Sequence, residues 1–148
     1  MSNKAYPCPY PAYLAEYDAV IIGAGYTLKV TNNVIVTYNQ GLTMQAGSKL
    51  IVTGYLDIKG INPPNLKVAD NSVIEVGGAF SMGSLKQSLS ADISANSMNL
   101  GTDAVTVNGN LTSKTSIAIG SYATINGNVS ATAVTTAAPG GINGNDTA

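Results

Sequence analysis

The fold is decided by ADISANSMNLGTDAVTVN (91–108), GNLTSKTSIAIGSYATIN (109–126) and GNVSATAVTTAAPGGIN (127–143), three successive units that resemble one another. The units have 18, 18 and 17 residues, and the triplet Asn-Gly-Asn recurs at 108–110, 126–128 and 143–145. Apolar residues alternate with polar ones inside each unit, which is typical of short strands with one buried face. A unit of this length holds two or three strands and their corners, so it predicts one coil of a β-solenoid.

The predicted fold is all-β: a single-stranded, right-handed β-helix with coils of about 17–19 residues and an extended N-terminal arm. We divide the chain into a Pro/Tyr-rich arm or cap at 1–18 and a solenoid domain at 19–148, with the clearest repeats at 91–145. No window predicts a convincing helix, and the strongest candidate is 84–93. The handedness is predicted from a coil length that varies, in contrast to strict hexapeptide repeats.

A looser form of the repeat extends upstream as an apolar residue, a spacer, Gly, a spacer and another apolar residue. Aligning these copies predicts that one inward-facing column contains Val52, Val76, Val107, Ile125 and Ile142. Two insertions, at 61–65 and 84–97, are predicted to interrupt the register.

The glycines and asparagines between strands predict the corners of the coils. Glycine permits a bend with positive φ, and asparagine tolerates the same region and can form stacked side-chain ladders. Asp92 occupies the place that asparagine takes in later units, so it should begin such a ladder. The predicted turn and ladder residues are Gly54, Gly78, Gly109, Gly127, Gly144, Asn110, Asn128 and Asn145.

The first 18 residues differ from the rest, because three prolines alternate with tyrosines. Prolines favour an extended path, and clustered tyrosines favour a surface to lie on. The segment is either a cap over the first coil or an arm that reaches a neighbouring subunit. Because the final coil stops part-way, it should offer unpaired strand edges. The predicted assembly contacts are Tyr6, Tyr10, Tyr13, Tyr17 and Ile142.

The composition argues against catalysis and against nucleic-acid binding. Charged residues are 10% of the chain, the formal net charge is −1, and the sequence has no His and no Arg. Without His the usual general base is missing, and without Arg the side chain that best grips phosphates is missing. Cys8 is the single cysteine, so we expect an inert thiol, no intrachain disulfide and no structural zinc site. We therefore predict no catalytic residue, no cofactor and no metal.

The stretch from residue 91 to residue 134 resembles the bactofilins, polymer-forming β-helical proteins of bacteria. The resemblance is carried by a Gly, an Asp or Asn, an apolar residue and a Ser or Ala, followed by an alternating strand and another Gly-bounded turn. Polymerisation through stacked β-helix ends, without nucleotide, is what the resemblance implies. Phage fibre and decoration solenoids have similar sequences.

A surface rich in Ser, Thr, Asn and Gly costs little to desolvate, which favours packing against copies or partners. We therefore expect a non-enzymatic structural protein that forms a trimer, a head-to-tail polymer or part of a larger particle. The first expectation is a virion subunit of capsid-decoration, fibre or tail-associated type; the alternatives are a bactofilin-like filament subunit and a surface adhesin or glycan-binding solenoid. The N-terminus predicts neither a signal peptide nor a membrane span, so synthesis in the cytoplasm is expected, with a virion or a cytoplasmic filament as the final location.

Overall fold

The computed structural model describes residues 5–6, 12–13, 19–37, 40–59, 66–83, 86–101 and 104–148. All regular secondary structure in these ranges is β, and they contain no helix. The strands run parallel and stack in about six turns, which confirms the predicted β-solenoid. The predicted handedness stays a prediction.

Each coil contributes one strand to each of three faces. The first face contains β1 (Ala5–Tyr6), β4 (Thr27–Val30), β7 (Lys49–Val52), β10 (Ser72–Val76), β13 (Ala91–Ala95), β16 (Leu111–Ser113), β19 (Val129–Ser130) and β22 (Asp146–Thr147). The second face contains β2 (Ala12–Tyr13), β5 (Val34–Val36), β8 (Leu56–Ile58), β11 (Ala79–Met82), β14 (Ser97–Leu100), β17 (Ser116–Ile119) and β20 (Ala133–Thr136).

The third face consists of two sheets that follow one another along the axis. One contains β3 (Ala19–Ile22), β6 (Gly41–Met44) and β9 (Leu66–Val68); the other contains β12 (Gln87–Leu89), β15 (Val105–Val107), β18 (Thr124–Ile125) and β21 (Gly141–Ile142). The N–H of Ser90, just after β12, donates to the carbonyl oxygen of Val68 at 3.2 Å, which connects the two sheets.

The coils are longer in the N-terminal half of the solenoid than in the C-terminal half. Lys49 pairs with Val73, 24 positions later. Leu111 pairs with Val129, 18 positions later, and Val129 pairs with Asp146, 17 positions later. The coils from β13 onward thus have the predicted length, whereas the earlier ones are longer because their corners contain more residues.

The core is a narrow stack of apolar columns, one coil above the next at about 4.8 Å. On the first face, Leu50, Ile74, Ile93 and Leu111 follow one another in register, each at most 3% exposed. On the second face, the fully buried Phe80 lies between Leu56 and Met98. Burial of such columns stabilises the stack, because a single coil cannot cover its own apolar row.

The single column expected from the loose repeat is wrong. Val52 pairs with Val76 on the first face, whereas Val107, Ile125 and Ile142 stack on the third face. The apolar-x-Gly-x-apolar pattern occurs at two different corners of the coil, and the sequence pattern is the same at both. The alignment therefore joined residues from different faces.

The insertion predicted at 84–97 is also largely wrong. Most of this stretch forms β12 and β13, which pair in register with β15 and β10 respectively. Leu89, Ala91 and Ile93 are buried, and polar residues alternate with them. The period of two therefore indicated strands here, although serines weakened the apolar signal.

Candidate functional site: the third corner

Three corners connect the faces, and the third corner joins the third face to the first face of the next coil. A polar groove of about 610 Å³ runs along this corner from Asp70 to Gly127. Among the residues described, it is where side-chain amides and carboxylates are most regularly stacked.

The first asparagine ladder consists of Asn108, Asn126 and Asn143, one per coil. Asn126 donates from Nδ2 to Oδ1 of Asn108 at 2.8 Å, and Asn143 donates from Nδ2 to Oδ1 of Asn126 at 2.8 Å. Asn126 is therefore held on both sides, whereas Asn108 and Asn143 each make one ladder bond. This ladder was missed in the sequence, although the first Asn of each Asn-Gly-Asn triplet marks it.

The second asparagine ladder begins with Asp92 and continues through Asn110, Asn128 and Asn145. Asp92 Oδ1 accepts from the backbone N–H of Asn110 at 2.8 Å and from its Nδ2 at 3.0 Å. The next two rungs join a side-chain Oδ1 to the backbone N–H one coil later, at 3.0 Å for Asn128 and 3.1 Å for Asn145. The sequence placed these four residues in equivalent positions, and the structure brings them together.

A column of glycines lies between the two ladders, at Gly109, Gly127 and Gly144. None of them has positive φ, so the conformational reason predicted for these glycines is wrong. The observed reason is close approach: a Cβ on Gly109 would collide with the carbonyl oxygen of Ala91, and a Cβ on Gly127 with that of Gly109. Glycine here allows two backbones to stack without side chains.

Gly54 and Gly78, for which the sequence predicts the same role, lie at the first corner, between the first and second faces. They too lack positive φ, and a Cβ on Gly78 would lie 3.0 Å from the carbonyl oxygen of Gly54. The left-handed bend that the sequence predicted occurs at Gly25, Gly47 and Asn71, with φ of 73°, 70° and 60°. These residues lie at the third corner of the earlier coils, between the third face and the first face of the next coil.

The backbone N–H groups of the glycine column differ in their hydrogen bonding from those of the adjacent asparagines. Their neighbours are bonded: the N–H of Asn126 donates to Val107 at 2.8 Å, and that of Asn128 to the Asn110 side chain. For Gly109, Gly127 and Gly144, no hydrogen bond of the N–H is present among the described residues. Within the described part of the chain, the corner thus presents a row of unpaired N–H donors, each between two asparagines.

A second feature is the neutral outer surface of the second face from β11 to β20. Its outward positions form two registered columns, and none of them is charged. The outward residues of the neutral face are Ala79, Ser81, Ser97, Asn99, Ser116, Ala118, Ala133 and Thr135. Small side chains in straight rows leave this surface flat.

Charges are concentrated on other surfaces. On the first face, Lys49 and Glu75 form an ion pair at 2.6 Å, with both side chains partly exposed. Nearer the N-terminal end of the second face, Asp57 pairs with Lys59 at 3.2 Å and accepts a hydrogen bond from Ser81 at 2.7 Å. In the ranges that the structure describes, no three His, Cys, Asp or Glu side chains come together as metal ligands.

The predicted assembly residues fall at opposite ends of the solenoid. Tyr6 pairs with Val30 and Tyr13 with Ile35, so these two positions lie in the first coil, on strands β1 and β2, which stack on β4 and β5. Tyr10, Tyr17 and Cys8 lie outside the described residues. Ile142 is partly buried, pairs with Ile125 and packs against the core. Their role in assembly stays a prediction.

The fold and its corners define a β-solenoid repeat protein. Comparison with family models, with curated proteins and with solved structures returned no match. No helix that could cross a membrane is found in the part of the chain that the structure describes.

Proposed function

We propose that the chain is a non-enzymatic structural subunit that assembles with copies of itself or into a larger particle. A virion subunit of capsid-decoration, fibre or tail-associated type is the first candidate. The neutral face carries the proposal, because eight outward positions in four successive strands bear no charge. Such a surface loses few strong interactions with water when it is covered, and depletion of charge is typical of the centre of an interface.

The rigidity of the neutral face supports the same role. Its strands are tied to their neighbours by regular parallel pairing, and the residues beneath them, from Phe80 to Ile117, are at most 3% exposed. A rigid surface loses little conformational entropy on docking. A flat face on a rod is therefore suited to lateral packing against another flat surface.

Charge substitution tests the proposal. Asn99→Lys places a cation in the middle of the neutral face, and we expect it to weaken self-association measured by sedimentation velocity over a range of concentrations. The matched control is Thr112→Lys, which adds the same charge at an exposed outward position of the first face. Equal self-association of the two variants and the parent would contradict the proposal. So would a parent protein that stays monomeric at every concentration and binds no particle.

A bactofilin-like filament is the second candidate. Every described coil pairs with the next in parallel, and head-to-tail stacking of copies would continue the same pairing. Negative-stain electron microscopy distinguishes the two: closed oligomers or decorated particles support the virion subunit, and open unbranched rods support the filament. A glycan-binding adhesin is the third candidate, and the polar groove of the third corner is the surface that would favour it.

A further inference from the structure

We infer that the first asparagine ladder is a set of spontaneous modification sites, at which Asn108, Asn126 and Asn143 convert to aspartate or isoaspartate. Each of these residues is exposed and is followed by glycine. The chemistry of this corner is independent of any assembly role.

The reaction needs a backbone nitrogen that can reach the side-chain carbonyl carbon of the preceding asparagine. At Asn126 the nucleophile is the amide nitrogen of Gly127, which attacks Cγ. A C–N bond forms, the amide proton passes to solvent base, and ammonia leaves to give a five-membered succinimide. Water then opens the ring at either carbonyl, so the balance is asparagine plus water to aspartate or isoaspartate plus ammonia.

Two observations at the third corner favour this step. The N–H groups of Gly109, Gly127 and Gly144 make no hydrogen bond within the described residues, so no acceptor competes for the nucleophile. Glycine also has no Cβ that would crowd the forming ring. In a regular β-ladder the same N–H would donate to a carbonyl oxygen of the next strand, which would hold the nitrogen away from the asparagine Cγ.

The ladder itself predicts unequal rates. The side chain of Asn126 must break two ladder bonds before it can rotate toward Gly127, whereas that of Asn108 must break one. One additional hydrogen bond of about 1 kcal/mol corresponds to a rate about fivefold lower. Asn126 should therefore react about fivefold more slowly than Asn108.

The products would change the corner. An aspartate at 126 has no donor for Oδ1 of Asn108 and places a negative charge beside it. Conversion at all three sites would change the formal net charge from −1 to −4, because each conversion adds one negative charge. Isoaspartate also lengthens the backbone beside a glycine column that has no space for an added Cβ.

The test uses the full chain, aged in mildly alkaline buffer and analysed by peptide mapping with mass spectrometry. Heavy-oxygen water marks each carboxylate that is formed by ring opening. Asn110 and Asn128 are internal controls, because they are exposed at the same corner but precede Leu111 and Val129. We expect conversion at Asn108 and Asn143 first, at Asn126 later, and none at the controls over the same period.

Two further measurements test whether the ladder bonds set the rates. In denaturant the rates of Asn108 and Asn126 should become equal, and in the folded Asn108→Ala variant the rate at Asn126 should rise, because one ladder bond is lost. A folded chain that remains unmodified while the denatured chain is fully converted would overturn the inference. So would controls that react as fast as the asparagines followed by glycine.

Discussion

Gly127 lies over the carbonyl group of Gly109, one coil earlier, so closely that a Cβ atom on Gly127 would collide with that oxygen. Gly144 has the same relationship to Gly127. The glycine column therefore controls how closely successive coils approach at the third corner. Its importance is steric and does not depend on unusual backbone angles.

Gly127→Ala should destabilise the protein by about 2–3 kcal/mol, because the added methyl group meets backbone that cannot rotate away. Thermal melting of variant and parent measures the change. Gly141→Ala is the matched control: a Cβ at Gly141 meets no atom within 4 Å, so its melting temperature should stay unchanged or rise slightly. Equal melting of the Gly127 variant and the control would show that the coils are not stacked as described.

Gly47→Ala should destabilise by about 1–2 kcal/mol for a different reason. Its φ is +70°, a region that costs an L-residue about that much, although there is open space for a Cβ. Asn71→Gly provides the complementary measurement, because φ is +60° there and glycine removes the strain. In chemical denaturation we expect Gly47→Ala to lower the free energy of unfolding and Asn71→Gly to raise it or leave it nearly unchanged. A marked loss of stability in Asn71→Gly would contradict this explanation.

Ser48 and Ser72 occupy equivalent positions in neighbouring coils and are both buried. Ser72 Oγ donates to the carbonyl oxygen of Ala69 at 2.7 Å, whereas Ser48 Oγ has no partner among the residues that the structure describes. Ser72→Ala should therefore cost about 1 kcal/mol, and Ser48→Ala should be neutral or slightly stabilising. The difference between the two variants in urea unfolding is the quantity to measure, and the reverse order would show that Ser48 has a bonding partner in solution.

Asp92 begins the second asparagine ladder, where one oxygen accepts two hydrogen bonds from Asn110. Asp92→Ala should lower stability by up to about 1 kcal/mol, since both bonds are solvent-exposed. Asp92→Asn retains an Oδ1 acceptor and should behave nearly as the parent. Amide hydrogen exchange at Asn110 gives the local readout, and we expect faster exchange in Asp92→Ala alone. The same acceleration in both variants would show that the negative charge of Asp92, and not its acceptor oxygen, protects this amide.

The sequence predicted the fold well, and it also predicted where each C-terminal coil begins and ends. The reason is that Asn-Gly-Asn occurs once in each of these coils, always at the same corner. Leu111 and Val129 are related by the 18 residues that separate their units, and the second ladder follows from the same phase. Where a polar triplet marks the corner, a sequence can be aligned with the coil. The marker is absent upstream of residue 108, and there the alignment failed.

The sequence did not predict which corner each glycine occupies, nor the first asparagine ladder. Gly54 and Gly109 have the same apolar neighbours two positions away on either side, yet they lie at different corners. Which corner a glycine occupies depends on the number of residues elsewhere in the coil, and the coil length varies between 24 and 17 residues. The first ladder was missed because an asparagine before glycine reads as an ordinary turn residue.

The described pairings join strands that are one coil apart, and this limits how far structural damage can spread. In such a stack each coil is coupled energetically to its immediate neighbours, so unfolding can begin at one level and stop before the next. A lesion at Gly127 would expose the amides of β19 and β20 to exchange, while β7 and β10, several coils away, would keep their protection. The solenoid can therefore unfold coil by coil along its axis, without a single global transition.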